Sequence, residues 1–220
     1  METPVYRQIT GRTVGIAAAV TLADALLAFP IAFYMAKVAS GRMRALLVIA
    51  ILMPLWSSYL VKVYAWRIIL QEDGLFNWLL SPFGLSGPGF GDVATWLVFT
   101  YLWLPYMIIP IYAGLERLPD SLLEASSDLG GRGWLTFRRV IMPIAFPAVV
   151  AGSIFTFSLS LGDYITPTLV SNTQFIGNVV YDNIGVAGNL PFAAAFATVP
   201  VVVMVAYLLV ARRLGAFRAL

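Results

Sequence analysis

Five long apolar stretches divide this chain, and its polar residues gather between them. Val93–Leu115, Val140–Gly162 and Asn183–Ala211 carry no charged side chain. Ala45–Val61 is also free of charge, and Thr13–Ala36 is interrupted only by Asp24. A membrane-crossing helix needs about 20 mostly apolar residues. Spans are therefore expected near residues 13–36, 45–67, 93–115, 140–161 and 192–211. The fold this predicts is all-α: a polytopic membrane helix bundle with five transmembrane helices, forming one domain over residues 1–220 with a polar loop at 116–139.

Composition agrees. The chain is 60% hydrophobic and 11% charged, whereas soluble domains are about 45–50% apolar and about 25% charged. It has no cysteine and no histidine, which removes disulfides, thiolate nucleophiles, imidazole bases and the usual zinc ligands. There is no Gly-x-x-x-x-Gly-Lys-Ser/Thr phosphate loop, so no cofactor is expected on this chain. No catalytic groups cluster at one depth, which argues against an enzyme. The net charge of +3 does not point to nucleic acid, because the arginines lie at span ends, as positive-inside anchoring requires.

That rule also orients the chain. If the 116–139 loop is cytoplasmic, Lys37, Arg42, Arg44, Arg117, Arg132, Arg138, Arg139, Arg212, Arg213 and Arg218 share its side, and Arg7, Arg12, Lys62 and Arg67 fall outside. The C-terminus is then cytoplasmic too. Arg7 and Arg12 run against the rule, and an additional span preceding this chain would remove the conflict. The outer segments hold Glu72, Asp73, Asp92, Asp163 and Asp182. This acidity is a by-product of the charge bias or a sign of a cationic solute or basic partner.

The loop carries the densest charge. Ser121 and Glu124 have capping-box spacing after Pro119 and predict a helix start. Gly130 is placed to end that helix in a left-handed cap, and Trp134–Arg139 begins a second helix entering the bilayer near Pro143. A helix of about nine residues is marginal alone in water. Its stripe of Leu122, Ala125, Ser126 and Leu129 either packs back onto the bundle or docks on a partner.

Glu124, Ala125 and Gly130, followed after nine residues by Val140, Met142 and Pro143, resemble the EAA loop of ABC importer permeases. Ser126 stands where a second alanine is usual, and Val140 and Met142 replace isoleucine and leucine. The stretches PLWSSYLVKVYAWRIILQEDGLFNWLL (54–80), YLWLPYMIIPIYAGLERLPDSLLEAS (101–126) and FSLSLGDYITPTLVSNTQFIGNVVYDNIG (157–185) are similar to spermidine/putrescine-type permeases. FPIAF (29–33) resembles the second membrane helix of that usually six-span family. The resemblance implies that the loop is a coupling helix seated in a separate ATPase subunit. It also implies a second permease, identical or different, and an external solute-binding protein docking on residues 71–92 and 163–191.

Pathway candidates are fewer. Pro30, Pro54, Pro105, Pro110, Pro143, Pro147 and Pro200 suit helices that bend between two states. Asp24 lies within a span, where charge costs about 2.5–3.5 kcal/mol at the centre; it lines the pathway or pairs with a neighbouring helix. Asp163 beside Tyr164 suits an ammonium group. Tyr101, Trp103 and Tyr106 add aromatic walls or an interfacial belt. The function expected is that of an ATP-driven importer permease for polyamines in the bacterial inner membrane. The alternatives are an importer of the same fold for an opine, an aminophosphonate or an iron complex, and a secondary transporter that needs no ATPase.

Overall fold

The computed structural model describes residues 3–213, so Arg218 and the C-terminus fall outside the described residues. The order is α1 (Thr3–Phe33), α2 (Gly41–Trp56), α3 (Tyr59–Ile69), α4 (Leu75–Leu80), α5 (Asp92–Glu116), α6 (Asp120–Asp128), α7 (Gly133–Thr136), α8 (Met142–Gly162), α9 (Ile165–Val170), α10 (Ile176–Gly185) and α11 (Leu190–Arg213). A π-turn at Tyr34–Val38 extends α1, and another at Phe137–Ile141 joins α7 to α8. No strand forms among the described residues.

Among the described residues, four continuous helices are long and apolar enough to cross a membrane: Pro4–Val38, Asp92–Glu116, Gly133–Gly162 and Leu190–Arg213. The expected second span is not straight. Its two halves, α2 and α3, meet at 94° across Ser57 and Ser58. Pro54 lies three residues before the break, and its carbonyl accepts the Ser57 hydroxyl at 2.9 Å and the Lys62 ammonium at 2.9 Å. Side chains thus satisfy a carbonyl that a continuing helix would have bonded to a backbone N–H. Ser57 and Ser58 both leave the helical region, with ψ of 151° and 131°. Counting the bent pair as one span restores five.

Three helices form the core. α1 offers Ala17, Val20, Ala28 and Ala32 on one buried stripe against α5 and α8. Small residues let membrane helices approach closely. At Gly152 of α8, an added Cβ would stand 2.8 Å from Met107 Sδ and 3.2 Å from Met107 Cα on α5. At Gly114 of α5 it would stand 2.6 Å from the Ala148 side chain on α8. α11 packs on the outside against α8 and α10, where Tyr207 stacks on Phe157 at 4.4 Å and donates to Ser153 Oγ at 2.7 Å. α2 buries no residue.

Gly152→Leu should therefore force α5 and α8 apart and lower the melting temperature of the detergent-solubilised protein by several degrees, the shift expected for about 1–3 kcal/mol of overpacking. Gly15→Ala, whose added Cβ meets nothing within 4 Å, should leave it unchanged or slightly raised.

Candidate functional site at the two ends of the bundle

At one end, α6 begins where Pro119 holds φ −65° and ψ 136°, and no side chain caps it. The expected Ser121–Glu124 capping box does not form. The helix starts at Asp120, one residue before Ser121, so Ser121 lies inside the first turn. Asp120 instead accepts a hydrogen bond from Lys37 Nζ at 2.7 Å, which fixes the start by a contact from another helix.

The far end of α6 matches expectation. Gly130 has φ +79°, a left-handed position that glycine adopts without strain. Gly131 N–H donates to Ser126 O at 2.8 Å, and Gly130 N–H to Ser127 O at 2.9 Å. This is the paired closure of a Schellman turn. Ser126 Oγ lies 2.8 Å from Thr136 Oγ1, linking α6 to α7. Leu123 packs inward on the core. Leu122, Glu124, Ala125 and Leu129 are exposed, Leu129 at 90%. The stripe therefore divides: Ser126 faces the bundle, while Leu122, Ala125 and Leu129 face away. Pro143 sits exposed in the first turn of α8, just past the π-turn.

At the opposite end, Asp163 follows the last residue of α8. Its Oδ1 accepts the Ile165 and Thr166 N–H groups at 2.8 and 3.1 Å. Its Oδ2 accepts the Thr166 hydroxyl at 3.1 Å and the Tyr59 hydroxyl. Burial raises the Asp163 carboxyl above the ordinary carboxylate range, and these donors oppose that shift. Tyr59 stacks on Trp103 with centroids 6.0 Å apart. Tyr59, Trp103, Asp163 and Tyr164 line a cleft of about 430 Å³. Tyr164 also stacks on Tyr181 at 4.6 Å. A carboxylate beside aromatic faces suits a positively charged guest.

The other two pathway candidates lie elsewhere. Tyr101 packs on Trp66, 5.4 Å between centroids, and does not line the cleft. Asp24 is fully buried in α1, and neither of its carboxylate oxygens has a hydrogen-bond partner. Sequence reasoning missed Tyr59 and Thr166. Tyr59 begins the helix after the break, and nothing in the local pattern announces that break.

Residues 17–217 match the family described as "Binding-protein-dependent transport system inner membrane component". The chain is 49% identical over 233 residues to the inner membrane ABC transporter permease protein YdcU of Escherichia coli (strain K12), covering 99% of this chain and 74% of that one. It is 30% identical over 213 residues to the spermidine/putrescine transport system permease protein PotB of the same organism, covering 94% and 77%. Among solved structures, it is similar to a bacterial alginate ABC transporter in complex with its alginate pentasaccharide-bound periplasmic protein, with TM-score 0.80 and 16% identity over 96% of this chain and 78% of that one. It is also similar to the MetNI methionine ABC transporter in inward-facing conformations, with TM-score 0.73 and 15% identity over 97% of both. Those two likenesses show the fold. Together with the bundle above, the match over 17–217 establishes that this chain belongs to the binding-protein-dependent inner membrane transport components, as the multi-pass permease subunit of an ABC importer.

Proposed function

We propose that this permease imports small polycations of the spermidine/putrescine class, delivered by an external solute-binding protein and driven by ATPase subunits that dock on α6. The observation that supports the solute class best is the cleft where Tyr59, Trp103 and Tyr164 surround Asp163. The PotB relatives, at 29–30% identity, favour the same chemistry. Asp163 already accepts four hydrogen bonds, so a passing ammonium would feel its charge across the aromatic faces rather than bind it in isolation. Weak contacts suffice, because each positive charge moving into a negative cytoplasm gains about 2.3 kcal/mol per 100 mV. Asp24 and Tyr101 lie off this cleft and carry no part of the proposal.

The same charge bias orients the bundle. Arg117, Arg132, Arg138 and Arg139 flank α6 in sequence, and Arg42 and Arg44 open α2, next to the end of α1 that bonds α6 through Lys37; we assign this end to the cytoplasm. Glu124, Ala125, Ser126, Gly130 and Pro143 then form the coupling loop. Leu122, Ala125 and Leu129 supply its docking face, Ser126 and Gly130 fix its shape, and Pro143 starts the helix it moves. The segments 71–92 and 163–191 face outward and receive the binding protein. A second permease, identical or different, completes the pathway.

Glu124→Ala should leave membrane insertion intact and lower solute uptake per ATP hydrolysed by about fivefold or more, the range of ordinary coupling free energies. Unchanged uptake per ATP in the reconstituted importer would refute the coupling role. Trp103→Leu and Tyr59→Phe probe the cleft. Loss of a cation–π contact of about 0.5–2 kcal/mol should weaken polyamine transport by about 2- to 30-fold in KM for Trp103→Leu. Tyr59→Phe keeps the ring and should cost less. Labelled uptake assays decide this, and preferential uptake of an anionic or iron-bound solute would transfer the assignment to another importer of the same fold.

A further inference from the structure

We infer that Lys37 is a positioning residue, the clamp that carries displacement of α6 into α1; this rests on the coupling reading of α6 given above. Lys37 lies in the π-turn that ends α1. Positive-inside anchoring alone would leave its ammonium in water, yet the side chain is only 9% exposed. Its Nζ donates to the Leu118 carbonyl at 2.5 Å and to Asp120 Oδ1 at 2.7 Å. These acceptors flank Pro119, at the entry to α6. A lysine folded inward onto two oxygens gives up hydration, so its place is specified by those bonds.

The clamp completes a set of attachments. α6 is continuous with α5 through Glu116–Pro119 and is bonded to α7 through Ser126 and Thr136. Among the described residues, the Lys37–Asp120 bond is the polar connection between α6 and the end of α1, and the Lys37–Leu118 bond ties the same lysine to the segment that enters α6. They also enter a π-turn. In the π-turn, Ala39 N–H reaches back five residues to Tyr34 O at 2.8 Å. Arg44 of α2 donates to Met35 O and Ala36 O at 3.0 and 3.2 Å. The π-turn before α8 lies alongside: Met35, Ala36, Leu118 and Ile141 share one buried cluster, and Phe29 meets Phe137 edge-on at 5.4 Å. Such turns recur at functional sites. Switching between five- and four-residue bonding shifts the following turn by one residue, a discrete step that a displaced α6 entry can drive through Lys37.

The test uses the permease reconstituted with its ATPase and solute-binding protein, scoring uptake per ATP hydrolysed and co-purification of the ATPase. Lys37→Met and Asp120→Ala should keep the ATPase bound and lower uptake per ATP by about fivefold or more. The exchange Lys37→Asp with Asp120→Lys should recover part of that loss, which a merely space-filling role would not allow. Asp120 is exposed, so Asp120→Ala still decides the matter if Lys37→Met fails to insert. Wild-type uptake per ATP in Asp120→Ala, or loss of the ATPase itself from Lys37→Met, would overturn the clamp. Glu124→Ala separates the two ideas. If it uncouples and the clamp variants do not, the clamp alone fails; if none of the three uncouples, the coupling reading fails with it.

Discussion

Close approach of α1, α5 and α8 is the constraint on which the two ends of this molecule depend. Lipid gives helices no hydrophobic reason to associate, so contact must come from packing and hydrogen bonds. Here packing relies on absent side chains. Gly152 makes room for Met107, Gly114 for Ala148, and α1 presents alanines at Ala17, Ala28 and Ala32. Gly162, next to Asp163 in the cleft, ends the same helix that begins just after the π-turn and α7.

The two ends solve different problems. α6 is too short to hold itself in water, and it is fixed from three directions: by Lys37 at its start, by Leu123 beneath it and by Ser126 with the glycine turn at its end. This leaves Leu122, Ala125 and Leu129 exposed. At the other end, Asp163 is held by donors from α3 and α9. The carboxylate thus ties the bent pair α2–α3 to the turn after α8 while lending its charge to an aromatic cleft. The bend in the second span brings Tyr59 to that position.

How much of this could be read from the chain depends on the range of the forces involved. The spans were legible because hydropathy is a property of each window by itself. Gly130 was legible because a left-handed cap favours one residue type. The 94° break was not, since Pro54 looks like Pro105 and Pro110, which α5 accommodates without a break; the difference is the capture of the Pro54 carbonyl by Ser57 and Lys62. The capping box failed for a similar reason. Local spacing favoured Ser121, but Lys37, far away in sequence, fixes Asp120 at the start. Tyr59 was invisible because its meeting with Asp163, far away in sequence, is purely tertiary; Thr166, three residues past Asp163, is a local partner whose spacing alone did not mark it as part of the site. Tyr101 and Trp103, two residues apart, looked equivalent, yet only Trp103 turns to the cleft.

The claim that α6 is a cytoplasmic lever for a separate ATPase is open to one direct measurement. The chain has no cysteine, so Ala125→Cys introduces a single reactive site on the outward face of α6. The account predicts no reaction with a membrane-impermeant maleimide in intact cells, full reaction once the cells are opened, and cross-linking to an ATPase chain in the membrane. Labelling from outside intact cells, or no cross-link to an ATPase under any nucleotide condition, would contradict it.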